Sequence, residues 1–164
     1  MSRSTSSKAL FSAKNIAYIS LFSALIAICS WVSIPTIIPF TLQTFAVSLG
    51  IGLLGTRRAL LSIGIYLLLG AAGVPVFSGF SGGMGVLFGT TGGYLVGFLL
   101  MALVSGAIIS RFGRSFISLF LAFCLGLALC YAFGTAWYLL LYLRNTGPIG
   151  LSTALMRCVV PFLL

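Results

Sequence analysis

Phe116-Ile-Ser-Leu-Phe-Leu-Ala-Phe-Cys-Leu-Gly-Leu-Ala-Leu-Cys-Tyr-Ala-Phe-Gly-Thr-Ala-Trp-Tyr-Leu-Leu-Leu-Tyr-Leu143 runs for 28 residues without a charge. A helix rises about 1.5 Å per residue, so about 20 apolar residues cross a hydrocarbon core of about 30 Å. This stretch is long enough to cross with tilt. A membrane β-strand would instead alternate apolar and polar residues over about ten positions. Here the apolar character is continuous, which predicts a helix. Trp137, Tyr138 and Tyr142 stand near its end, where aromatic side chains settle at a membrane interface.

Working outward, four more apolar segments separate at charges, prolines and glycines: 15–34, 40–56, 59–72 and 94–110. The segment 151–164 is apolar but interrupted by Pro161 and too short to span. The expected fold class is an all-α integral membrane protein, a compact bundle of five transmembrane helices forming a single domain over 1–164. Composition agrees. The chain is 60% hydrophobic and 5% charged, with a mean hydropathy of +1.24. A soluble domain normally carries about 25% charged residues.

The charge is one-signed: nine Lys and Arg, with no Asp, Glu or His. These cations are spread between apolar spans and not gathered on one face, which argues against a nucleic-acid surface. Their role is topology, since short loops rich in Lys and Arg stay cytoplasmic. A cytoplasmic N-terminal tail over 1–14 puts Arg3, Lys8, Lys14, Arg57, Arg58, Arg111 and Arg114 inside, with Arg144 and Arg157 outside. The expected location is the cell (inner or plasma) membrane, multi-pass, with a cytoplasmic N-terminus.

The missing residue types exclude much chemistry. Most general acids and bases are absent, which argues against an enzyme. The usual ligands for magnesium and zinc are absent too, so neither metal nor cofactor is expected. Cys29, Cys124, Cys130 and Cys158 each lie in apolar stretches and read as small membrane side chains. No phosphate-binding loop of the G-x-x-x-x-G-K-[ST] type occurs, so uphill transport would draw its energy from a partner.

Two connections are unusual. Ile34-Pro-Thr-Ile-Ile-Pro39 breaks the helix and favours extended backbone before each proline. Gly73-Val-Pro-Val-Phe-Ser-Gly-Phe-Ser-Gly-Gly-Met-Gly-Val-Leu-Phe-Gly-Thr-Thr-Gly-Gly93 is glycine-rich yet apolar and aromatic, unlike a solvated linker. Irregular backbone at membrane depth persists where protein buries it or where it lines a cavity. Both connections fall on the outer side, so the two loops are expected to cap an outward-facing pocket.

Ile38-Pro-Phe-Thr-Leu-Gln-Thr-Phe-Ala-Val47 and Gly73 to Tyr94 resemble the BioY family, the biotin-capturing S components of energy-coupling-factor transporters. The resemblance covers nearly the whole chain. It implies six helices, capture of biotin from outside with high affinity, and docking on a transmembrane coupling protein that carries two cytoplasmic ATPases. It implies partner contact through small residues of the first helix, here Ser20, Ser23, Ala24 and Ala27. It also implies a final helix with Asp and Lys residues on biotin, which lies beyond Leu164. The Gly-Pro-Thr-Gly-Gly run of the family has Thr90 in place of proline. The competing reading is a passive channel or facilitator for a small solute.

For biotin, a pocket needs hydrogen-bonding groups for the ureido head, apolar walls for the ring, and a cation or dipole for the carboxylate. Thr41, Gln43 and Thr44 supply polar groups from the first outer connection. Ser78, Ser81 and Thr91, with bare amides at Gly79, Gly82, Gly83 and Gly92, supply more. Phe77, Phe80 and Tyr94 can wall the ring, and Tyr131 and Arg157 are weaker candidates. Each has a structural alternative. Thr41 and Gln43 can cap a helix. Phe77 and Phe80 can anchor the loop, the glycines can serve turns, and Arg157 can anchor at the interface.

Overall fold

A computed structural model describes residues 12–34 and 40–146. Most of the N-terminal tail, the prolines of the first connection, the segment 151–164, Arg157 and Cys158 lie outside the described residues. Five longer helices dominate: α1 (Ala13–Trp31), α2 (Gln43–Leu54), α3 (Thr56–Ala71), α5 (Gly92–Phe112) and α6 (Phe116–Thr146). A four-residue helix, α4 (Met84–Leu87), lies within the second outer connection. β1 (Ser33–Ile34) and β2 (Phe40–Thr41) pair antiparallel, Ser33 opposite Thr41. This short ribbon closes the first connection, with Ile34 extended as its following proline requires.

The all-α expectation holds, with two boundary differences. Three helices, Ala13–Trp31, Gly92–Phe112 and Phe116–Arg144, are long and apolar enough to cross a bilayer. α2 is shorter, at 12 residues, and α3 has 16. The break between them falls at Gly55, whose φ of +79° suits only glycine without strain, and not at Arg57-Arg58. Both arginines instead occupy the first turn of α3, where long side chains can reach the interface.

α1 packs on α2 and α3, α3 and α2 meet α5, and α5 forms its largest contact with α6. The core runs through Ile26, Val47, Ile51, Ile63, Tyr66, Phe77, Phe98 and Met101. Buried hydroxyls cross between helices: Ser23 donates to the Ser62 carbonyl at 2.9 Å, and Ser105 to the Ala122 carbonyl at 2.8 Å. Such bonds add modestly to helix association in lipid, where apolar faces alone give no preference for protein over tails. Leu21, Leu53, Leu68, Phe116, Ile117 and Leu140 point outward, as a lipid-facing surface demands.

Small residues let α5 and α6 approach. A side chain at Gly97 would press on Cys130, at Gly93 on Trp137, and at Gly134 on the Tyr94 ring. The α2–α3 and α5–α6 turns sit side by side, with Thr56 against Gly106 and the Arg114 guanidinium near Gly55. Arg57, Arg58, Arg111 and Arg114 therefore gather at one end of the bundle. The two unusual connections occupy the other end.

Candidate functional site

The second connection is folded onto the bundle by its own bonds. The Phe77 amide donates to the Ser81 carbonyl at 3.0 Å, and the Gly83 amide donates to the Gly70 carbonyl at 2.7 Å. α1 holds it from one side: Ser30 Oγ donates to the Val76 carbonyl and Trp31 Nε1 to the Pro75 carbonyl. α6 holds the far end, through Trp137 Nε1 and the Gly89 carbonyl at 3.1 Å. This backbone is protein-bound and irregular, as membrane-depth loops must be.

Beneath it lies a cavity that admits the centre of a water molecule over about 150 Å³. Thr41 lines it from β2, Gln43 and Thr44 from the start of α2, and Phe77, Ser78 and Ser81 from the second connection. Thr91 and Tyr94 line it from the start of α5, and Tyr131 from α6. Val86, Leu95, Phe98 and Cys130 complete the wall. No charged side chain lines it among the described residues. The site is thus an apolar, aromatic cup with a few polar groups, the usual make-up of a small-molecule pocket.

Its polar groups are held in place. Thr41 Oγ1 donates to Gln43 Oε1 at 3.1 Å, and Gln43 Nε2 donates to the Tyr66 hydroxyl at 2.7 Å. Neither residue makes a side-chain cap for α2, whose N-terminal flank is Leu42. Ser81 Oγ donates to the Ser78 carbonyl at 2.7 Å, leaving its lone pairs. The Tyr94 hydroxyl pairs with Thr135 Oγ1 at 3.2 Å, and the Tyr94 and Tyr131 rings meet edge to face.

Five residues singled out from the sequence do not line the cavity. Phe80 turns outward and stacks on Trp31, with ring centroids 5.0 Å apart. Gly79 and Gly83 sit at positive φ in turns. Gly82 and Gly92 lie against backbone, at the Val74 and Leu87 carbonyls, where a Cβ would not fit. Four lining residues were not singled out: Val86, Leu95, Phe98 and Cys130. Leu95 and Phe98 had a usable signal, because they continue the Thr91 and Tyr94 face at helical spacing.

Ser20, Ser23, Ala24 and Ala27 line a separate groove between α1 and α3, with Ile28, Trp31, Ile65, Tyr66, Leu69 and Val76. Ser23 and Ala27 are buried, and Ser20 and Ala24 are exposed.

The family model described as the BioY family matches residues 2–164. A protein named biotin transporter BioY from Thermotoga maritima is 45% identical over 115 residues, covering 70% of this chain and 68% of its own. Another of that name, from Rhodobacter capsulatus, is 35% identical over 164 residues, covering 90% and 84%. A crystal structure of the S-component for biotin from an ECF-type ABC transporter superposes with a TM-score of 0.77 at 24% identity. It covers 98% of this chain and 84% of that one, a likeness of fold. With the whole described bundle and nearly the full sequence matched, this multi-pass membrane protein belongs to the BioY family.

Proposed function

We propose that this chain is the biotin-capturing S component of an ECF-type vitamin uptake transporter. The observation that carries the reading is the cavity under the two irregular connections. Among the described residues its lining is uncharged, walled by Phe77, Tyr94, Phe98 and Tyr131, and provided with donors and acceptors by Thr41, Gln43, Thr44, Ser78, Ser81 and Thr91. A flat ureido head on an apolar bicycle matches such a lining. The relatives named biotin transporters support the same ligand.

In this reading the N-terminus is cytoplasmic and the two connections face outward, because the arginine-bearing turns share the opposite end. Biotin enters beneath the second connection and is enclosed by it. The α1–α3 groove with Ser20, Ser23, Ala24 and Ala27 faces a transmembrane coupling protein, since small residues allow close helix approach. ATP is hydrolysed on separate subunits, in keeping with the lack of a phosphate-binding loop here.

Biotin accumulation in cells unable to make it provides the test. Cells expressing this chain with a coupling protein and its ATPases concentrate biotin against a gradient, and cells expressing inactive ATPases do not. Equal, non-concentrative flux in both would favour a passive facilitator.

A further inference from the structure

Lys14, Arg57, Arg58, Arg111 and Arg114 are five of the six cations among the described residues, and all five stand at the end of the bundle opposite the cavity. The chain brings them there from three places: the first turn of α1, the first turn of α3, and the end of α5 with the turn that follows it. The two arginine-bearing turns are locked together. A methyl at Gly106 would collide with the Thr56 side chain, and Arg114 Nη2 lies 3.9 Å from where a Cβ on Gly55 would stand. These 164 residues include no Asp or Glu, so no acidic side chain of this sequence can neutralise the cluster. Helix stability does not account for it. Arg57 and Arg58 occupy the positive end of the α3 dipole, where a cation is unfavourable, although Arg111, in the last turn of α5, is placed as the dipole prefers. Topology requires only that each short loop carry its cations, and not that two loops be held side by side.

We propose that this end of the bundle binds the phosphate headgroup of an anionic phospholipid, with Arg111 and Arg114 as the contacting side chains and Arg57 and Arg58 adding positive potential. Arg111 and Arg114 are exposed, so their guanidiniums can reach an outside anion. A guanidinium presents paired N–H donors that match two phosphate oxygens, and it gives up hydration more readily than an ammonium does. The neighbouring surface selects a lipid over a free anion or an acidic protein. Phe112, Phe116 and Ile117, which flank Arg111 and Arg114, are 69%, 84% and 70% exposed. Leu53 and Leu61 stand exposed on either side of Arg57 and Arg58. A ligand that meets both surfaces has a negative head and apolar tails. Anionic lipid at this end does not depend on which ligand fills the cavity at the other.

The experiment places the full chain in nanodiscs of equal phosphatidylcholine and phosphatidylglycerol and counts the lipids it retains by native mass spectrometry. The parent chain should retain phosphatidylglycerol in clear excess over phosphatidylcholine. In the double variant Arg111→Gln, Arg114→Gln that enrichment should fall at least about fivefold, since each cation beside an anionic leaflet multiplies partitioning by about that factor. Both positions are exposed, and thermal unfolding in pure phosphatidylcholine nanodiscs checks that the variant is folded. Arg144→Gln removes one charge from the other end and should leave the enrichment unchanged. Equal enrichment in the parent and the double variant overturns the proposal. So does an equal loss in Arg144→Gln, which would make net charge alone responsible. Displacement of the lipid by inorganic phosphate beyond a chloride control of equal ionic strength would assign a free-anion site and overturn the lipid assignment. No preference for phosphatidylglycerol in the parent overturns it as well, and would leave an acidic protein face as the counter-charge.

Discussion

Ser30 in α1 donates its hydroxyl hydrogen bond to the carbonyl of Val76, 46 positions further along the chain, at 2.6 Å. The same hydroxyl lies 2.7 Å from the Ala27 carbonyl of its own helix, so one proton serves two acceptors. Val76 lines the α1–α3 groove, and its neighbour Phe77 lines the cavity. One serine therefore anchors the segment that separates the two.

Ser30→Ala leaves the buried Val76 carbonyl without that donor, a loss of about 1–3 kcal/mol. The expected outcome is lower thermal stability in detergent and faster biotin release, with association less affected. Thermal unfolding and dissociation of tritiated biotin measure the two effects separately.

The chain has two tryptophans, and both indoles donate to carbonyls of the second connection: Trp31 to Pro75 and Trp137 to Gly89. Intrinsic fluorescence should therefore report directly on this connection. Biotin should shift the emission, and Trp31→Phe together with Trp137→Phe should abolish the signal while preserving binding within about tenfold. Emission indifferent to saturating biotin would mean the connection does not respond to the ligand.

Glycines in the spans should divide by what surrounds them. A methyl at Gly126 meets Ser105 Oγ, the atom that bonds the Ala122 carbonyl across α5 and α6. Gly126→Ala should destabilise by about 1–3 kcal/mol, the usual cost of overpacking. Gly64, in the middle of α3, has nothing within 4 Å of such a methyl. Gly64→Ala should stabilise by about 0.5–1 kcal/mol through reduced backbone freedom in the unfolded chain. Unfolding in a detergent series ranks the two variants.

Orientation is tested in a cysteine-free background. Met84→Cys lies on the exposed side of the second connection, and Ser115→Cys lies in the arginine-bearing turn between α5 and α6. A membrane-impermeant maleimide should label the first in intact cells and the second only after permeabilisation. The reverse pattern would invert the proposed topology.

Much of the fold was legible because lipid imposes a simple rule on length and charge. The 116–143 run could hardly be anything but a spanning helix, and it forms α6. The boundary near Arg57 was less legible. Arginine at a membrane interface is compatible with a helix, whereas the positive φ at Gly55 is not, and charge draws the eye before glycine does. The cavity was readable where polar side chains interrupt apolar sequence: Thr41, Gln43, Thr44, Ser78, Ser81 and Thr91 all line it. Its apolar wall was harder to read. A helix in lipid is apolar all round, so periodicity alone did not separate Cys130, inside, from Leu129, outside. Phe80 illustrates the converse. An aromatic in a glycine-rich loop looks like a ligand contact until tertiary structure stacks it on Trp31.

The most direct measurement is equilibrium binding of tritiated biotin to the purified chain in nanodiscs, beside the double variant Gln43→Leu, Ser81→Ala. Saturable binding of one biotin per chain is expected, with affinity lowered by at least about tenfold in the double variant. No saturable binding by the parent chain, or the same affinity in both, would contradict the assignment of this cavity as the biotin site.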